Sequence, residues 1–98
     1  MEAERHLMNN GGKLISAVRV TVLPDGATSI RFKYLHHKAH VFQYANTELG
    51  FQWARSALHL LEEDVVLNLF MAATEHGNAR MSKCERCSVI SLSCQKNL

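Results

Sequence analysis

The chain of 98 residues predicts an α+β domain: a three-stranded antiparallel sheet over about 14–23, 28–35 and 39–44, packed on one long or two consecutive helices over about 47–76, with a polar C-terminal tail. Three observations carry this reading. Residues 14–44 contain period-two alternations punctuated by a strong turn. Residues 47–73 contain apolar positions at helical spacing. Beyond Gly77 the pattern dissolves into serines and charges.

In the first strand Leu14, Val18, Val20 and Val22 fall on one side, and Ile15, Ala17, Arg19 and Thr21 on the other. Leu23-Pro24-Asp25-Gly26 follows. Proline presets φ, aspartate suits the next position, and glycine accepts the positive φ of a type I turn closed by a G1 bulge. If Leu23 pairs with Ala27, Val20 faces Ile30, Val18 faces Phe32 and Ser16 faces Tyr34, so the apolar sets share one side. The same register sets Arg19 opposite Arg31, with Lys33 two residues along. Like charges directly opposed are destabilising, and a chain that keeps such a pair has a use for it in holding an anion; the plain alternative is a solvated face on which long basic side chains splay apart.

A third strand, His40–Tyr44, puts Phe42 and Tyr44 with the core, and Val41 and Gln43 beside the basic residues. Asn46 or Thr47 caps the helix, with Glu48 in its first turn, where the macrodipole favours an acid. Phe51, Ala54, Leu58, Leu61 and Val65 form one stripe, widened by Trp53, Ala57 and Leu60. Glu62-Glu63-Asp64 interrupts it; either Asp64 caps a second helix or the three acids lie on a solvated turn of one long helix. Val65–Ala73 is apolar nearly all round, and Gly77 is the expected stop. A segment apolar on every side needs a second surface. The expectation is homodimerisation through Val66, Leu69, Phe70 and Met71, or else cover by the N-terminal arm.

The organisation expected is a flexible arm over 1–12, a single domain over 13–77 and a basic, cysteine-containing tail over 78–98; a chain of this length buries one core. Charge is unevenly spread: −1 over 1–12, +4 over 13–45, −4 over 46–77 and +3 over 78–98. A basic sheet and tail set against an acidic helical half suggest a side facing nucleic acid. Val65–Ala73 is too short to span a bilayer, and the polar N-terminus has no signal-peptide core. Together with three cysteines, an odd number, this gives an expectation of a cytoplasmic, reducing setting and no membrane partner.

Cys84-Glu85-Arg86-Cys87, with Cys94 and His76, can supply one tetrahedral zinc site, although the second close pair common in structural sites is missing. The competing reading is a polar tail, so no cofactor is expected. His36, His37 and His40 cluster without a carboxylate among them; loop, nucleic-acid contact and metal are their readings, in that order. There is no paired-carboxylate motif, nucleophile elbow or glycine-rich phosphate loop, so the expectation is not an enzyme.

Three antiparallel strands presenting Arg, Thr, Lys and Gln, backed by a helix over roughly Leu14–Leu61, resemble in layout small sheet-type DNA-binding domains such as the arm-binding domain of tyrosine recombinases. The likeness is in element order; no motif matches residue by residue. It implies a sheet laid into the major groove of duplex DNA. Arg19, Arg31 and Lys33 would then be central contacts, Thr21 and Gln43 secondary ones, and Lys13 and Lys38 phosphate anchors. The expected function is therefore a small regulatory nucleic-acid-binding protein. The alternative is a non-enzymatic inhibitor or adaptor of the phage or plasmid type that binds a protein through its acidic, apolar helical half.

Overall fold

The computed structural model describes residues 7–8, 14–58, 63–83 and 90–96. In chain order these form β1 (Leu7–Met8), β2 (Leu14–Val22), β3 (Thr28–Tyr34), β4 (His40–Tyr44), α1 (Thr47–Ala57), α2 (Glu63–His76), β5 (Gly77–Lys83) and β6 (Ile90–Lys96). The strands make one antiparallel sheet in the order β4-β3-β2-β5-β6, with β1 added beside the start of β2. Both helices cover the same face: α1 lies on β3 and β4, and α2 on β2, β5 and β6.

The α+β class stands, but the three-stranded sheet does not. Residues 77–83 and 90–96 are strands rather than a polar tail. The physical reason lies in α2. Each helix covers about 10 Å of sheet, roughly two strands at about 4.8 Å spacing, so three strands leave the second helix unsupported. Five strands carry both.

The hairpin forms as its sequence dictates. Gly26 N donates to Leu23 O (2.8 Å), Leu23 N donates to Ala27 O (2.9 Å), and Ala27 N donates to Asp25 Oδ1 (2.9 Å). Gly26 sits at φ +92°, where an L side chain is strained. Val20 pairs with Ile30, Val18 with Phe32 and Arg19 with Arg31. The register departs at Ser16. Ile15, not Ser16, pairs with Tyr34, because a bulge separates Ile15 from Ala17, and the Ser16 hydroxyl donates to Lys33 O at 3.0 Å. One extra residue swaps the faces of everything before it, so Ile15 leaves the outer face and is fully buried in the core.

Asn46 is the cap of α1, its side chain accepting from Leu49 N at 3.0 Å. The Thr28 hydroxyl reaches Thr47 Oγ1 at 3.2 Å and ties the hairpin to the same helix start. Gly50 allows close approach: a Cβ there would stand 3.3 Å from Thr28 Cγ2 and 3.5 Å from both Phe70 and Tyr44. Trp53 packs at a tilt against Phe42 and Phe32 (centroids 4.4 and 5.2 Å), so the aromatic end of the sheet packs under α1. The expected apolar stripe is cut after Leu58 and resumes in a separate helix beginning at Glu63; Leu61 lies outside the described residues. An exposed Arg55–Glu63 ion pair at 3.0 Å joins the two helices and is worth at most about 1 kcal/mol.

Val66, Leu69, Phe70 and Ala73 are buried within the chain's own core, against Val18, Val20, Ala79 and Met81 among others. Of the residues through which homodimerisation was expected, Val66, Leu69, Phe70 and Met71, most are therefore covered without a second copy. Three of the four are spent on the sheet, and Met71 alone remains open, at 59 % exposure. Gly77, at φ +93°, reverses the chain from α2 into β5 with no intervening loop. Among the described residues no helix is long and apolar enough to cross a membrane.

Two outcomes follow. Truncation after His76 removes Ala79 and Met81 from the core and leaves one edge of β2 open; the truncated chain should lose cooperative thermal unfolding, whereas retention of the full-length Tm would return 77–98 to the status of a tail. Gly26→Ala should lower stability by about 1 kcal/mol in urea denaturation, although the space around a Cβ there is empty.

Candidate nucleic-acid interface

Because strand side chains alternate, the face opposite the helices is built from Ala17, Arg19 and Thr21 on β2, Ser29, Arg31 and Lys33 on β3, Val41 and Gln43 on β4, and Asn78, Arg80 and Ser82 on β5. Cross-strand pairing arranges them in rows. Arg31, Arg19 and Arg80 stand side by side on three adjacent strands, with Val41 at one end and Ser93 at the other. At about 4.8 Å per strand the three arginines span roughly 10 Å. One pair further along, the row of Lys33, Ala17 and Ser82 runs parallel to them.

Between these rows lies a concavity of about 440 Å³ lined by Ala17, Arg19, Arg31, Lys33 and Arg80. Its floor is the methyl group of Ala17, 4 % exposed beneath the longer side chains around it. Ala17 is also the residue at which the β2 bulge ends, and bulges commonly re-aim side chains beside functional sites. The cup is therefore walled by four cations over a small residue at a kink.

Among the described residues no acid neutralises it. The ion pairs among the described residues, Arg55–Glu63 and His76–Glu75, are both on the helices. No carboxylate occupies a described position on the outer face. Opposed like charges cost a few tenths to about 1 kcal/mol per pair, and the row contains two such pairs, so a bound polyanion removes a repulsion as well as making contacts.

A second concavity of about 440 Å³ adjoins the hairpin end of this face and includes Thr21, Ser29, Gln43, Leu23 and Tyr44. It offers hydroxyl and amide groups instead of charge. Burial raises the Tyr44 phenol above its ordinary 10.0.

The residues singled out by sequence divide as follows. Arg19, Arg31, Lys33, Thr21 and Gln43 share the outer face as expected. Lys38 is exposed on the β3–β4 connection, and Lys13 lies outside the described residues. His36, at φ +65°, and His37 belong to the same connection. His40 is not beside the basic face: it pairs with Phe32, and its ring packs on Phe42 at 4.4 Å on the helix side of the sheet. Of the proposed zinc ligands, Cys84 and Cys87 lie outside the described residues, Cys94 is in β6 at the register position of Ala79, and His76 ends α2. Among the described residues no group of three or more His, Cys, Asp or Glu is placed to hold a metal ion.

Arg80 is the residue that sequence reasoning missed. Its signal was present in the alternation of Asn78, Arg80 and Ser82 with Ala79 and Met81. On the opposite side of the molecule a mainly apolar groove of about 440 Å³ lies between α1 and α2, lined by Phe51, Leu67, Phe70 and Met71 and edged by Glu48 and Glu75. No known family, curated protein or solved structure matches this chain.

The repulsion within the row has a measurable consequence. Arg19→Gln should raise Tm at low ionic strength by a few degrees, on the order of 1 kcal/mol or less. The gain should shrink as salt screens the remaining charges. A lower Tm for the variant at low salt would mean that Arg19 holds the fold together rather than straining it.

Proposed function

We propose that this protein binds nucleic acid through the outer face of its sheet and acts by that binding, without a catalytic step. The observation that supports the reading best is the row Arg31–Arg19–Arg80 with Lys33 beside it, which no described acid neutralises. Arginine forks match phosphate oxygens two at a time, and a cationic face with no acid at its described positions suits a polyanion better than a single small ligand. Thr21 and Gln43 add hydrogen bonds from the adjacent row, and Lys38 is available at the rim for a further phosphate. Four of the five described acids, Glu48, Glu63, Asp64 and Glu75, lie on the helices, which orients the molecule toward a negatively charged partner.

The groove between α1 and α2 favours a second reading. Leu67 and Met71 are 43 % and 59 % exposed, and the acids at the groove's edges suit a basic peptide with apolar anchors, as an adaptor or inhibitor would require.

Fluorescence anisotropy separates the two. Labelled oligonucleotides should bind the wild type with a steep salt dependence. Arg19→Ala/Arg31→Ala should bind much more weakly, with the slope of log K against log salt reduced by about 1.5 for two lost phosphate contacts. If the double variant binds as the wild type does, or neither binds at low salt, the sheet is not the functional face. Loss of function confined to Met71→Glu would then favour the groove.

A further inference from the structure

We infer that the nucleic acid this face accepts is an unpaired strand, its phosphodiester backbone running across the β-strands along Arg31, Arg19 and Arg80 and its bases lying over the parallel row of Gln43, Ser29 and Thr21. The inference rests on the nucleic-acid reading above and specifies its ligand.

The width of the sheet is the first reason. A sheet enters the major groove only if it is narrow, because that groove is about 12 Å wide. Here the arginines stand on β3, β2 and β5, and β4 and β6 flank them. The outer strands of the five are roughly 19 Å apart, so the central row cannot descend between the phosphate ridges of a duplex. Against a duplex this face meets only the ridges, and base edges stay beyond the reach of Thr21 and Gln43. The major-groove placement expected from a three-stranded sheet is lost once β5 and β6 are added.

The arrangement of the two rows is the second reason. The charged row and the uncharged polar row are two residues apart along the strands, roughly 7 Å. This is the scale on which a nucleotide separates its phosphate from its base. The basic cup over Ala17 and the neighbouring concavity containing Thr21, Ser29 and Gln43 thus offer phosphate recognition and hydrogen bonding to base edges side by side. Only an unpaired strand lying flat presents both at once. No aromatic side chain occupies a described outer-face position, so the bases are held by hydrogen bonds from Gln43, Ser29 and Thr21 while the arginine row holds the backbone.

The test uses the full-length wild type, so no variant has to fold for it to be decisive. A labelled single-stranded 12-mer of mixed sequence, the same 12-mer annealed into a duplex, and a 12-mer of abasic sugar phosphates are titrated by anisotropy at low and near-physiological salt. The single strand should bind at least about tenfold tighter than the duplex, and the abasic strand should be weakened by about as much. Arg80→Ala should weaken the single strand, and Gln43→Ala should change the order of preference among homopolymeric strands. Duplex binding equal to or tighter than single-strand binding overturns this inference but leaves the nucleic-acid reading intact. An abasic strand bound as tightly as the normal one removes the base-facing row from it. No binding of any of the three at low salt overturns both.

Discussion

The pairing of β2 with β5 is the constraint on which the rest of the molecule depends. It turns β2 from an edge strand into the centre of the sheet, with β3 on one side and β5 on the other. It gives α2 a floor that includes Ala79 and Met81, both almost fully buried. It also brings Arg80 alongside Arg19, converting an opposed pair of cations into a row of three. Core, topology and candidate site all follow from one ladder of backbone hydrogen bonds between segments about sixty residues apart in the chain. Gly77 makes the ladder possible, since its positive φ lets the chain turn from α2 straight back under it.

The two faces of the sheet have opposite energetics. On the helix side, Val18, Val20, Ile30 and Phe32 are fully buried, and each such side chain contributes about 1.5–3 kcal/mol of burial. On the outer side the pairing of like charges opposes folding, by at most about 1 kcal/mol per pair. The difference in scale explains how the fold tolerates the arginine row: the apolar face sets the register, and the arginines stand where that register puts them. Stability is thus decided on one side of the sheet and recognition on the other, by residues that alternate along the same strands.

The β2 bulge links the two. Placing Ser16 out of register allows Ile15 to join the core and leaves Ala17 as a small residue under Lys33 and the arginines. A regular strand would put Ile15 on the outer face, where its bulk would lie near the floor of the cup. The same irregularity therefore improves packing on one face and opens space on the other.

Much of this was legible in the residues themselves. The Pro24-Asp25-Gly26 turn, the pairing of Arg19 with Arg31, the outward placement of Lys33, Thr21 and Gln43, the Asn46 cap and the stop at Gly77 all follow from local rules, because turn chemistry, period-two alternation and capping act over a few residues. The bulge left no comparable mark, since Ser16-Ala17 is compatible with a plain strand. The last two strands are written as alternation in Asn78–Ser82 and in Ile90, Leu92 and Cys94 against serines, but their alanines, serines and short apolar runs carry little intrinsic strand preference. What made them strands was the unfilled apolar surface of α2, a demand the sequence expressed and the tertiary structure meets with Ala79 and Met81 of the chain itself. Sequence alone determined the hairpin, its basic face and the helical cover. Long-range pairing decided the width of the sheet, the third arginine and the fate of α2's apolar side, because those depend on which distant strand buries the most surface.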